Sequence, residues 1–210
     1  MNEVFLALPQ EKQQRIINAA LEVFSKNDYK KASTDDIASK ANISKGSLFY
    51  YFKNKKTLYL YLFEYVYQLF RDFVLDNHFH EITDFFELIY YAAKKKMQII
   101  DKNPYLLDFM LNSFLSNKED ISEDIQQILA KATATTYNDF FKYVDFNKFK
   151  EDINPEEIYN ILMLAADGYI YKKRQLNIKL NVEELMKECK NWLTMFKKLA
   201  YKEEYQNEDN

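Results

Sequence analysis

STDDIASKANISKGSLFYYFKNKKTL, residues 33–58, reads as two short helices separated by a tight turn, and the reading of the whole chain follows from it. Ser33 offers an N-cap hydroxyl, Asp36 stands three residues on as a shortened capping box, and Ile37, Ala38 and Ala41 recur at i, i+1 and i+4. Asn42 tolerates the left-handed conformation that ends a helix, Ile43 plugs the turn, and Ser44 caps a second helix that starts at Lys45. Isolated helices shorter than about 12–15 residues are marginal in water, so the pair must pack on something longer. Leu48 and Phe52 turn inward with Ile37, Ala38, Ala41 and Ile43, and the outward face carries Lys45, Gly46, Ser47, Tyr50, Tyr51 and Lys53. With no carboxylate between Lys45 and Leu58, that face suits a polyanion with readable edges. Gly46 costs up to about 1 kcal/mol relative to alanine in a helix interior, and its missing side chain lets another backbone come close.

Working outward, Ile16, Ala19, Ala20, Val23 and Phe24 form an amphipathic stripe on a helix from Pro9 to about Lys26, which covers Ile37, Leu48 and Phe52 and completes a three-helix unit. Net charge supports the placement. Residues 1–60 hold ten Lys/Arg and six Asp/Glu, net +4, against a whole-chain charge of −3, so the basic end is the end with the motif. Lys12, Arg15, Lys30 and Lys31 are further cations there, read as solvated unless they meet phosphate.

Ile37-Ala38, the run Ala41 to Phe52, and then Lys53, Lys55 and Leu58 resemble the N-terminal DNA-binding domain of the TetR family of bacterial transcriptional regulators. The resemblance implies that the helix from Lys45 is the recognition helix and that Lys55, opening the next helix, contacts DNA phosphate. Two positions depart from the family pattern, which most often has glycine at Asn42 and tyrosine at Phe49. Asn42 keeps the backbone option open. A phenyl ring has no hydroxyl to reach phosphate, so Tyr50 or Tyr51 takes that contact. The implied DNA-binding set is Ser33, Thr34, Ser44, Lys45, Gly46, Ser47, Phe49, Tyr50, Tyr51, Lys53 and Lys55.

Composition points the same way. A chain of 210 residues allows one or two domains, and with two glycines and three prolines it has little turn chemistry for hairpins, so the fold class is all-α, with about nine helices. The division expected is a helix-turn-helix DNA-binding domain at 1–54 and a larger helical ligand-binding and dimerisation domain at 55–210. A single cysteine, Cys189, excludes an internal disulfide and a cysteine-rich zinc site. No signal peptide or stretch of about 20 apolar residues is present, which predicts a cytoplasmic, bacterial, nucleoid-associated protein away from the membrane.

Periodicity predicts helices from Lys55 to about Asn77, from about Ile82 to Asp101, from Pro104 to near Ser116, and from about Ile121 to Phe146. By resemblance the first is the linking helix and the other three form the family's variable ligand-binding core. Aromatic residues make up 17% of the chain, and each buried tyrosine hydroxyl needs a partner, so these rings fill a core, line a cavity, or do both. The candidates for lining are Tyr90, Met97, Tyr105, Phe109 and Met110, with Phe114, Tyr137, Phe141 and Tyr169; they suit a small apolar, aromatic or cationic effector. His78 and His80 form an H-x-H pair without carboxylate or thiol companions, read as a solvated helix end; no metal or other cofactor is expected.

The last two helices start at Asn154-Pro155 and at Asn181, the latter with Glu184 as a capping box. By resemblance they dimerise the protein through Ile158, Leu162, Ala165 and Gly168 on one and Leu185, Trp192 and Phe196 on the other. Two recognition helices related by a two-fold axis read a palindromic duplex. The function expected is a ligand-responsive repressor, a homodimer on an operator, released by a small molecule. The alternatives are a ligand-independent architectural or division-linked DNA binder of the same fold, or a helical adaptor for a protein partner. Catalysis is excluded by the lack of a Gly-rich phosphate loop, a His/Cys or Ser/His constellation and an E-x-x-H repeat.

Overall fold

The computed structural model describes residues 3–103, 105–115, 122–178 and 180–206. Pro104 and Ile121, expected at helix starts, and the side chains of Phe114, Leu129 and Ala132 lie outside the described residues. The helices are α1 (Glu3–Leu6), α2 (Gln10–Lys26), α3 (Thr34–Lys40), α4 (Lys45–Phe52), α5 (Lys55–Val74), α6 (Phe85–Lys102), α7 (Tyr105–Leu115), α8 (Ser122–Phe140), α9 (Pro155–Gln175) and α10 (Val182–Ala200). Extended pairing among the described residues is limited to an isolated antiparallel bridge between Phe149 and Tyr201. The fold is all-α, and none of its described helices is long and apolar enough to cross a membrane.

Packing groups the chain into two compact units, Met1–Asp72 with Gln98–Phe140, and Phe73–Met97 with Phe141–Asn210. The boundary expected after Asn54 therefore lies inside the first unit. There α2 is the spine, burying Ile16, Ile17, Ala20, Leu21, Val23 and Phe24 against α3 on one side and α7 on another. Phe24 meets Tyr59 edge-on at 4.8 Å, and Tyr59 meets Phe109 at 5.2 Å. The buried Tyr59 hydroxyl finds its partner in Ser113 Oγ at 2.7 Å, so this ring needs no cavity to satisfy its tip. Asn112 Nδ2 donates to the carbonyls of Phe24 and Ser25, satisfying the end of α2 from a helix far along the chain.

Helix α1 was not legible in the pattern. Its single turn places Phe5 in the core, 4.6 Å from Phe52 and 5.4 Å from Tyr61. Burying a side chain of this size contributes about 1.5–3 kcal/mol, enough to hold a helix too short to persist alone.

In the second unit, α6 begins at Phe85 because Asp84 caps it, accepting from the amides of Phe86 and Glu87. That carboxylate is buried, and Lys148 and Lys197 each approach it at 3.5 Å. The hydroxyl of fully buried Tyr201 accepts from the Phe85 amide, and burial beside Asp84 drives its acidity far below an ordinary phenol's. Rings of Phe85, Phe86, Phe149 and Tyr201 pack round this point.

Three helix ends differ from expectation. α8 stops at Phe140 rather than Phe146, since the Asp145 amide donates to Thr83 and its carboxylate accepts from Asn147, winding residues 146–148 into a 3-10 turn. α5 stops at Val74, and His78 and His80 sit on a separate 3-10 turn, His78–Glu81, rather than at a helix end. Asp76 fixes that turn by accepting from the Phe79 amide, the Tyr91 hydroxyl and Lys95 Nζ; the bond from Lys95 is the main cause of a carboxyl held well below the usual range. The Asn181 cap of α10 forms as expected, but the Glu184 carboxylate accepts from Lys173 Nζ at 2.9 Å.

Candidate nucleic-acid interface

The α3–α4 pair is shaped by local chemistry. Ser33 Oγ accepts from the Asp36 amide at 3.2 Å, starting α3. At its end Asn42 takes φ 53°, the Asn42 amide donates to Ser39 and the Ile43 amide to Ala38, a Schellman closure made without glycine. Ser44 Oγ then accepts from the Ser47 amide at 3.0 Å and starts α4 two residues later. Arg15 reaches across from α2 and donates to Ala41 O at 2.8 Å, which holds the turn against the spine.

Leu48, Tyr51 and Phe52 are the inward face of α4. Tyr51 is a correction to the outward face read from sequence. Its ring lies 6.2 Å from Phe5 and 5.7 Å from the Lys12 ammonium, because α1 folds over the side of α4 that seemed open. Tyr50, by contrast, is 65% exposed, while Ser44, Lys45, Gly46 and Lys53 are exposed and Thr34, Ser33, Ser47 and Phe49 are half-buried. A Cβ on Gly46 would meet only Ser44 Oγ, at 3.8 Å, so no backbone of the protomer approaches it; the close approach it allows faces outward.

Lys53 ends α4 with φ 60° and ψ −50°, and the Asn54 amide donates to Phe52 O at 2.6 Å. This is a γ-turn of the rarer hand, a conformation that costs on the order of 1–3 kcal/mol for a residue with a side chain. Lys55 Nζ, one residue past the next amide, donates to the carbonyls of Tyr29, Lys30 and Ala32 and lies over the Tyr29 ring. An ammonium has three N–H donors, and here the three carbonyls take them.

Two short helices packed on a common spine, the second presenting its N-terminal face to solvent, form a helix-turn-helix head, and the bacterial regulatory proteins, tetR family, match it over residues 16–62. The chain is similar to the tetR family over that segment. IcaR of Staphylococcus epidermidis, the negative transcriptional regulator of the biofilm operon icaADBC, is 27% identical over 158 residues, covering 75% of this chain and 82% of IcaR. IcaR of Staphylococcus aureus is 25% identical over 165 residues. Among solved structures, the fatty acid degradation regulator FadR of Bacillus halodurans superposes with a TM-score of 0.70 at 18% identity, over 86% of this chain and 96% of that one. FadR of Bacillus subtilis, solved with stearoyl-CoA, gives 0.63 at 20% identity over the same shares. These two share the fold. The segment that matches holds the helix-turn-helix, and the IcaR relatives are negative transcriptional regulators.

Outside the head, the residues expected to bind a ligand divide between the two units. Tyr105, Phe109, Met110 and Tyr137 belong to the first, where Phe109 is a core ring against Phe24 and Tyr59. Tyr90, Met97, Phe141 and Tyr169 belong to the second, where Phe141 stacks on Phe85 at 4.7 Å and Tyr169 meets Trp192 edge-on at 6.0 Å. Of the residues expected to dimerise, Ile158, Leu162 and Leu185 are buried within the protomer, Ala165, Trp192 and Phe196 are half-buried, and Gly168 is exposed with nothing within 4 Å of its Cβ position. Sequence reasoning missed the apolar residues around Gly168. Ile161, Leu164 and Tyr171 are exposed, Leu164 at 70%, and their spacing from Gly168 puts all four on one face of α9. That signal was present as a second stripe, one step round the helix from Ile158, Leu162 and Ala165.

Proposed function

We propose that this regulator is a repressor that binds a palindromic operator as a homodimer through α4 and is released by a small apolar effector held in the region 55–210. The observation that carries the reading is the head itself: an exposed helix start of Ser44, Lys45 and Gly46, with half-buried Ser47 and exposed Tyr50 beside it, and no carboxylate on α4. Such a face combines phosphate-positioning hydroxyls and amides with donors that reach base edges. Ser33, Thr34, Phe49 and Lys53 flank it. A single head reads few base pairs, so specificity calls for two heads about 34–36 Å apart or a multiple of that spacing.

The α9 stripe of Ile161, Leu164, Gly168 and Tyr171 supports the dimer, as do exposed Met195 and Leu199 on α10. An exposed apolar stripe of this kind is a hazard unless covered, and a self-complementary partner covers it with two-fold symmetry. The negative regulation attributed to IcaR supports repression, and the stearoyl-CoA bound to Bacillus subtilis FadR supports a long apolar effector class. The protein would then act on the chromosome in the cytoplasm.

The test is a binding titration with the full chain on duplexes selected from a random pool. Tight, steeply salt-dependent, two-fold symmetric binding that weakens 5–150-fold when a long-chain acyl-CoA is added is the expected result, the range being that of a typical coupling of about 1–3 kcal/mol. Binding without symmetry or sequence preference supports the architectural alternative instead.

A further inference from the structure

We propose that Asp35 is a specificity-determining residue of the reading head, acting through its ion pair with Lys45; this rests on the DNA-binding reading above. Lys45 is the only charged residue of α4, and its Nζ lies 2.8 Å from Asp35 Oδ2 at the start of α3. Both side chains are open to solvent, at 50% and 66%, so the pair sits on the surface of the head rather than inside the domain. Several of the head's other cations have partners of their own. Lys26 and Lys40 share Glu22, Lys31 meets Asp28, Arg15 donates to the turn at Ala41, and Lys55 is spent on three backbone carbonyls. Lys45 is thus the recognition helix's own charge, and the neighbouring helix cancels it.

The consequence follows from counterion release. A lysine that must leave a carboxylate to reach a phosphate adds little to binding on any duplex, and the carboxylate left behind repels the backbone. Where a guanine edge accepts from the ammonium in the groove, the bond repays the opening of the pair. Asp35 therefore suppresses indifferent binding and leaves matched binding in place, which widens the ratio between the two.

The experiment compares the full-length protein with Asp35→Asn, Lys45→Met and the double variant, on a duplex selected by the wild type and on a scrambled duplex of the same composition, across a salt series. Asp35→Asn is expected to tighten scrambled-duplex binding about fivefold per head, on a charge separation of about 4 Å in water, and to steepen its salt slope by about 0.9 per head. Lys45→Met is expected to weaken binding to the selected duplex and, in the Asp35→Asn background, to remove the gain on the scrambled duplex. Asp35→Ala, with its thermal midpoint measured alongside, must behave as Asp35→Asn. Unchanged scrambled-duplex affinity and slope in both Asp35 variants, or weaker binding of both duplexes by well-folded variants, overturns the proposal. A wild type that binds neither duplex overturns the DNA-binding reading instead, a distinct result.

Discussion

Replacing Lys55 by methionine keeps the apolar stem and deletes the ammonium, which separates two roles the residue could have. Its Nζ lies 2.8 Å from Tyr29 O and 3.1 Å from both Lys30 O and Ala32 O, and 4.7 Å from the Tyr29 ring centroid. The bonds to Tyr29 and Ala32 are partly buried, and each contributes about 1–1.5 kcal/mol net; the bond to Lys30 is exposed and contributes little. The ring contact adds about 0.5–1 kcal/mol. The variant should lose about 3 kcal/mol of stability, read as a lower urea midpoint at constant slope and a thermal midpoint about 6–12 °C lower for a chain of this size. Operator affinity, measured well below that midpoint, should keep its salt slope, because no phosphate contact has gone. A variant as stable as the wild type whose slope falls by about 0.9 per head would refute this reasoning, for it would mean that Lys55 releases the carbonyls and grips the duplex.

Phe5→Ala should cost about 3–5 kcal/mol by opening a cavity beside Phe52 and Tyr61, and denaturant unfolding checks it. Asp76→Asn should cost about 1 kcal/mol at pH 7, since the carboxylate is 36% exposed and solvent screens its pair with Lys95. A carboxyl depressed in the folded state stabilises above its unfolded pKa near 4 and loses that contribution as pH falls below it, so the wild type should weaken below about pH 4 more than the variant does in acid unfolding curves. Leu164→Glu, at the most exposed apolar position of α9, should leave the protomer folded by circular dichroism and convert a dimer to a monomer in light scattering.

The reading head was legible because its determinants are local. Ser33, Asn42 and Ser44 each act within three or four residues, and each does in the structure what its chemistry suggested. Tyr51 was misread for the opposite reason. Four aromatics in a row at 49–52 leave the inward face ambiguous, and what settles it is Phe5, on a helix too short to show any period. The extra length assigned to α8 has a similar origin: Phe141 and Val144 extend an apolar period that the Asp145–Thr83 contact cuts short. Ligand residues were the least legible, since a tyrosine filling a core and one lining a cavity have the same sequence signature. The α9 stripe was readable in principle, but Ile158 and Leu162 gave the stronger period and belong to the protomer's own core.

One contact gives the head little slack. In the last turn of α2, the carbonyls of Phe24 and Ser25 are held by Asn112 on α7, while Tyr59 on α5 is latched to Ser113 beside it. If α7 turns by even a fraction of a residue, it must haul the spine of the reading head along or strand two carbonyls and a buried hydroxyl without partners. Both outcomes are costly, so α2, α5 and α7 behave as a single lever.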